Sequence, residues 1–178
     1  MIKVRGFTLI ELLVTIAIVA VLMGIGVPSY RYITYSSRIS SELNSLVGSL
    51  QLARAEAIKQ GLPVTACSSA TGTSCSGANT WHTGWIVFAD SNGNAAVDSG
   101  ENILRKEATF YGSDTFVAST GVSAITFNRE GFISGLPADP VTITLTPPNT
   151  TETRWTRCLA LGIMGRMTVQ QSGTGACL

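Results

Sequence analysis

The pattern of apolar and polar positions divides the chain into three parts. Residues Phe7 to Val27 form an apolar run of 21 residues interrupted by a single charge, Glu11. At about 1.5 Å per residue this run spans about 31 Å as a helix, one hydrocarbon thickness. Beyond Pro28 the pattern becomes periodic. Ile39, Leu43, Leu46, Leu50, Ala53 and Ala57 are spaced by 4, 3, 4, 3 and 4 residues, which makes one apolar stripe at helical period. Ser40, Ser41, Asn44, Ser45, Ser49 and Gln51 occupy the other faces, and Gly61 and Pro63 stop the pattern. A helix over Thr8–Gln60 would be about 80 Å long. Pro28 lacks an N–H and should bend or loosen it, as should the nearby Gly24 and Gly26.

After Gly61 the period shifts toward two. Candidate strands are Val64–Cys67, Trp85–Ala89, Ile103–Glu107, Ala124–Asn128, Val141–Thr146, Thr156–Leu161 and Met167–Gln170. Gly-, Ser- and Asn-rich joints separate them, at Ser68–Asn79, Asp90–Gly100 and Ser134–Asp139. No internal repeat is visible. One long helix followed by short strands predicts an α+β fold, with an antiparallel sheet or small sandwich packed on the helix stripe. The expected organisation is a leader over 1–6, a membrane or filament-core helix over 7–28, an amphipathic helix over 29–60 and a β-rich domain over 61–178.

Composition narrows the function classes. Net charge is +1 (Lys+Arg 12, Asp+Glu 11), so no whole-chain basic field points to nucleic acid. The single histidine, His82, offers no metal cluster, and there is no nucleophile-elbow, phosphate-loop or Cys–His pattern, which argues against an enzyme. Four cysteines, Cys67, Cys75, Cys158 and Cys177, are an even set suited to an oxidising compartment, and three connectivities are open. Cys67–Cys75 with Cys158–Cys177 is favoured because each pair joins neighbours in strand order. The C-x₇-C spacing lacks zinc form.

The amino terminus carries the sharpest signal. Lys3 and Arg5 precede the apolar run, so the start should stay cytoplasmic and the rest should cross the membrane once. A cleaved secretory signal would have a shorter apolar core, about 7–15 residues. A plain anchor does not account for Glu11, because a carboxylate in a spanning helix is costly and marks a functional position. Gly6-Phe7-Thr8-Leu9-Ile10-Glu11-Leu12-Leu13-Val14, with Pro28 after the run, resembles the processing site of type IV prepilins. The resemblance implies cleavage after Gly6 by a prepilin peptidase and methylation of the new amine on Phe7. It also implies that the amine can pair with Glu11 of a neighbouring subunit, fixing one axial register because an unpaired buried charge is expensive.

A second resemblance covers the region beyond. Ala53-Arg54-Ala55-Glu56-Ala57, Gly84-Trp85-Ile86-Val87-Phe88, Asp90-Ser91-Asn92-Gly93-Asn94 and Asp98-Ser99-Gly100-Glu101 with Ile103-Leu104-Arg105 are similar to the GspH/FimT family of minor pilins and H pseudopilins. The family implies a structural subunit of an initiation or tip complex in the inner membrane, with its carboxy-terminal domain in the periplasm. Other minor and major pilins would be its partners. Two alternatives remain: a type II secretion minor pseudopilin H and a DNA-binding minor pilin for transformation.

Two segments suggest ligands. Asp90, Asn92, Asn94, Asp98 and Glu101 fall at positions 1, 3, 5, 9 and 12 of a twelve-residue stretch, as in an EF-hand calcium loop. However, position 6 is Ala95 where glycine is required, and the flanks read as strands. A polar hairpin connection without metal or other cofactor is the favoured reading and calcium the alternative. Some members of the resembled family bind DNA through a carboxy-terminal Gly-Arg-x-Arg motif. Gly165-Arg166-Met167-Thr168 matches its first two positions and not the last. Arg154 and Arg157 around Trp155 would add phosphate contacts and a stacking surface.

Overall fold

A computed structural model describes residues 6–110, 113–148 and 153–177, apart from the side chains of Pro28, Arg31 and Arg154. The leader residues Met1–Arg5 lie outside the described residues. Helix α1 (Leu9–Gln60) begins one residue later than its apolar pattern predicts, because Thr8 is its cap. It is unbroken through Gly24, Gly26 and Pro28, so the expected loosening does not interrupt it. Proline removes one N–H, and the neighbouring turns keep their own bonds. The chain divides into two compact units, residues 1–38 and 39–178.

In the first unit every described side chain from Phe7 to Val27 is exposed. The second unit begins at Ile39 and contains the rest of α1. Here the stripe is fully inside: Ile39, Leu43, Leu46, Leu50, Ala53 and Ala57 are all buried. At roughly 2 kcal/mol per buried leucine, this stripe is what holds α1 to the domain.

Nine strands among the described residues form two antiparallel sheets. The first sheet has β1 (Val64–Ser68), β2 (Trp85–Ala89), β3 (Ile103–Glu107), β5 (Ala124–Phe127) and β6 (Ile133–Ser134), in the order β3-β2-β1-β5-β6. The second has β4 (Thr115–Ala118), β7 (Val141–Thr146), β8 (Arg157–Leu161) and β9 (Met167–Gln171), in the order β4-β7-β8-β9. All five residues of β1 are buried, so this strand is covered on both faces. On one face Cys67, Ile86 and Phe88 form a small core, against which Cys75, Val97, Ile103 and Ala124 pack. The disulfide loop and the Asp90–Glu101 connection therefore roof this face of the first sheet.

Strand boundaries depart from the alternation pattern in a few places. Asn128 ends β5 instead of continuing it, because its Oδ1 accepts the N–H groups of Glu130 and Phe132. Thr156 precedes β8, because its N–H closes a short turn onto Thr153. Ser134 belongs to β6, not to a joint. Neither β4 nor β6 was foreseen: β4 is only four residues long, and the two residues of β6 are held by pairing with β5. The N–H of Ile133 also donates to the carbonyl of Ile163 at 2.8 Å, tying β6 to the β8–β9 turn.

That turn is clamped by Arg54 of α1. The guanidinium donates to the carbonyls of Gly165 (3.2 Å) and Met164 (3.4 Å). Gly165 has φ +72°, and a Cβ there would lie 2.6 Å from the Gly131 carbonyl oxygen. Gly135 also has positive φ (+70°) but open space around it. The two positions separate conformational strain from collision. Gly135→Ala should cost about 1–2 kcal/mol, the left-handed penalty alone. Gly165→Ala should cost more, about 3 kcal/mol or above, because backbone must also move. Equal losses in thermal unfolding would show that the close approach is not rigid.

Candidate functional site

The amino-terminal candidate is a capped apolar helix. Thr8 and Glu11 form a reciprocal pair across the first turn. The Glu11 N–H donates to Thr8 Oγ1 at 3.3 Å, and the Thr8 N–H donates to Glu11 Oε2 across a long 3.5 Å. This is a capping box, Thr-x-x-Glu, and its spacing is legible in the sequence although the apolar pattern drew attention away from it. It gives Glu11 a local partner, since the carboxylate faces unsatisfied N–H groups at a helix start. The arrangement neutralises no charge, so a cation remains its natural complement. Farther along, Thr15 Oγ1 donates to the Leu12 carbonyl at 2.8 Å, satisfying the hydroxyl within the apolar run. The helix is long and apolar enough to cross a membrane. Gly6 and Phe7, the pair expected to be cut, precede its first turn and are exposed. Pro28 lies within α1, its side chain outside those described.

The four cysteines form two disulfides, Cys67–Cys75 and Cys158–Cys177, with Cα–Cα separations of 5.6 and 5.5 Å. The second spans 19 residues and draws the tail onto β8. In a chain-entropy model a loop of that length contributes about 3 kcal/mol.

The Asp90–Glu101 connection is closed by its own hydrogen bonds. Asp90 is fully buried. Its Oδ1 accepts the Asn94 N–H at 3.0 Å, and its Oδ2 accepts the Ala95 N–H at 2.9 Å and the Thr65 hydroxyl at 2.6 Å. The side-chain amides of Asn92 and Asn94 both donate to Asp98 Oδ2 at 2.8 Å. Glu101 accepts from the backbone of Ser91 and Asp98. The five side chains are thus brought together, but with N–H and O–H donors on the oxygens that a cation would need. Among the described residues no group of three or more His, Cys, Asp or Glu stands ready for a metal. Ala95, at the glycine position of the calcium pattern, has φ +58°.

Of the three candidate DNA-contacting arginines, Arg157 and Arg166 are not brought together. Arg157 pairs with Gln171 at the open end of the β8–β9 hairpin, and Arg166 sits at its turn. Four residue steps along β8, about 13 Å, separate the two ends. The Arg154 side chain lies outside those described. Gly165 is accounted for by the Arg54 clamp, without reference to a ligand. Arg166 instead borders a shallow groove with Asp139, Pro140, Ala160, Gly162, Thr168 and Gln170. His82 is half-buried, and its Nδ1 accepts the Phe116 N–H at 3.2 Å, which makes it a structural tie to β4.

A family model described as type II transport protein GspH matches residues 42–165, and a prokaryotic N-terminal methylation motif matches residues 1–27. The fold is similar to the type IV minor pilin FimU of Pseudomonas aeruginosa (strain PAO1). In one crystal form that protein is 22% identical, with 78% of this chain and 99% of that chain covered and a TM-score of 0.56. In another it is 21% identical, with 84% and 99% covered and a TM-score of 0.57. The minor pseudopilin EpsH from the type 2 secretion system of Vibrio cholerae is 12% identical, with 77% and 99% covered and a TM-score of 0.52. At these identities the likeness concerns the fold.

The positive φ at Ala95 gives a direct test of the connection. Ala95→Gly removes left-handed strain and should raise stability by about 1 kcal/mol, read as a higher melting temperature of the purified chain. A lower melting temperature would mean that the Ala95 turn carries no strain.

Proposed function

Since the chain belongs to the GspH family and opens with a prokaryotic N-terminal methylation motif, we propose that it is a minor type IV pilin of an initiation or tip complex. It is a structural subunit, not an enzyme. In this reading the precursor is held in the inner membrane by Phe7–Val27 as a single span, with the domain in the periplasm. A prepilin peptidase cuts between Gly6 and Phe7 and methylates the Phe7 amine. The subunit then joins other minor and major pilins through its apolar helix.

The observation that carries this reading is an exposed apolar run, Phe7–Val27, whose single carboxylate, Glu11, is capped and meets no cation among the described residues. In a hydrocarbon-like filament core an uncompensated carboxylate is strongly unfavourable. The amine released at Phe7 supplies the missing charge to a neighbour's Glu11. The capping box holds the carboxylate at the helix entrance, where that amine arrives.

The DNA-binding reading has less support, because Arg157 and Arg166 stand at opposite ends of one hairpin and phosphate binding draws on clustered cations. We read the Asp90–Glu101 connection as a hairpin without a resident calcium ion, because the buried Asp90 has both oxygens engaged by donors. The H pseudopilin of type II secretion shares the helix chemistry, and neighbouring genes distinguish it from the pilus subunit.

Glutamine preserves a capping box and alanine does not, so two variants separate the roles of Glu11. If the charge pairs with a neighbour, Glu11→Gln and Glu11→Ala should both enter sheared filaments about tenfold less than the parent or worse, because breaking a buried pair costs about 3–5 kcal/mol. Normal entry of Glu11→Gln beside loss of Glu11→Ala would reduce the residue to a cap.

A further inference from the structure

Helix α1 runs on past the apolar stretch without a break, but its chemistry changes there. Val27 closes the run, and Tyr30, Tyr32 and Tyr35 follow, three of the chain's four tyrosines within six residues. Tyr30, Tyr32 and Ile33 are 72%, 56% and 60% exposed. At about 100° per residue, Tyr30 and Tyr32 stand about 200° apart around the axis, on opposite sides of the helix. A partner seated on one face would cover one ring and leave the other in water. A layer that surrounds the helix covers both.

Depth agrees with this. Phe7–Val27 matches the hydrocarbon, about 30 Å of a bilayer about 40–45 Å thick, which leaves about 5–8 Å of headgroup layer on each side. Tyr30 and Tyr32 lie three and five residues beyond Val27, about 4.5 and 7.5 Å along the axis, so both fall within that layer. Tyr35 lies about 12 Å out, beyond it. There the Arg38 Cζ stands 5.2 Å from the centroid of the Tyr35 ring.

The chemistry of the band fits headgroups. A tyrosine has an apolar ring and a hydroxyl that needs a polar partner, which suits a layer that is apolar on one side and wet on the other. The Thr34 hydroxyl, by contrast, is satisfied inside the helix, donating to the Tyr30 carbonyl at 2.9 Å. Tyr30 also ends an apolar groove along one face of the span, with Val19, Leu22, Met23, Gly26 and Val27. A lipid chain lying in that groove brings its headgroup to the tyrosine. No carboxylate lies between Glu11 and Glu42, and the charges there are Arg31 and Arg38, so nothing in the segment repels phosphate.

We propose that Tyr30 and Tyr32 form a collar that binds phospholipid headgroups of the periplasmic leaflet, through their ester and phosphate oxygens, and so fixes how deep the helix sits. The inference rests on the membrane-span reading above and adds the residues and the headgroup chemistry that set its depth. A fixed depth holds Gly6 and Phe7, about 35 Å away along the helix, at the opposite face.

The test uses the full-length chain reconstituted in vesicles of phosphatidylethanolamine and phosphatidylglycerol. The vesicles carry one of two photo-crosslinking phospholipids, with the reactive group in the headgroup or midway along an acyl chain, and adducts are mapped by mass spectrometry. The result expected is headgroup adducts on residues 29–34 and acyl-chain adducts on residues 12–27. Headgroup adducts are then counted on Ser29, Ile33 and Thr34, which stay unchanged in every variant. Tyr30→Leu with Tyr32→Leu should lower them about threefold or more, because leucine keeps the apolar bulk and loses the polar handle, whereas Tyr30→Trp with Tyr32→Trp should retain them. Tyr35→Leu should leave them at the parent's level. Headgroup adducts absent from residues 29–34, unchanged in the leucine pair, lost in the tryptophan pair, or lowered as much by Tyr35→Leu would each overturn the collar while acyl-chain adducts still show the span. A chain that carbonate washing strips from the vesicles, with no acyl-chain adduct, overturns the span reading and the collar with it.

Discussion

A carboxylate placed in an apolar helix is the constraint on which the rest turns. Glu11 is the one charge in a predominantly apolar run, and its partners among the described residues are the backbone N–H and hydroxyl of Thr8 in the first turn. Capping stabilises the helix start by on the order of 1 kcal/mol. That is small beside the several kcal/mol of desolvating a charge. In the proposed reading, the difference makes a second subunit's amine the natural partner and would give cleavage between Gly6 and Phe7 a physical purpose beyond removing a leader. The same helix can reside in lipid before assembly and among other helices afterwards, because both surroundings are apolar.

The β domain meets a different requirement, a rigid surface from few charged groups. The central strands β1 and β2 of its first sheet are buried on both faces, with the stripe of α1 in the domain core and the Cys67–Cys75 loop and Val97 packed over Cys67, Ile86 and Phe88. Segments that look like loops in the sequence therefore act as a second layer of core. Asp90 shows how a charged residue enters such a layer. Its buried carboxylate accepts two backbone N–H groups and a hydroxyl, and burial without those donors would be strongly destabilising. Arg54 does corresponding work for the β8–β9 turn by binding its carbonyls from α1.

Much of this architecture was legible in the residues. The steps of Ile39, Leu43, Leu46 and Leu50 place α1 against the sheets, and alternation finds seven of the strands to within a residue at each end. Alternation misses β4 and β6, because four- and two-residue strands carry too little pattern and depend on tertiary pairing. The Thr8–Glu11 spacing held a capping box that the apolar run obscured. Gly165-Arg166 illustrates the converse: adjacent in sequence, the two residues do different jobs, the glycine making a close backbone approach and the arginine remaining at the surface. No one-dimensional signal reports that Arg54, more than 100 residues away, supplies the contact.

The most direct test of the central claim is the intact mass of the chain recovered from assembled filaments. The account predicts a polypeptide that begins at Phe7 and carries one methyl group on its amine, with both disulfides intact. A filament-borne chain that still begins at Met1, or that begins at Phe7 with its amine blocked and uncharged, would leave Glu11 without its partner and contradict the account.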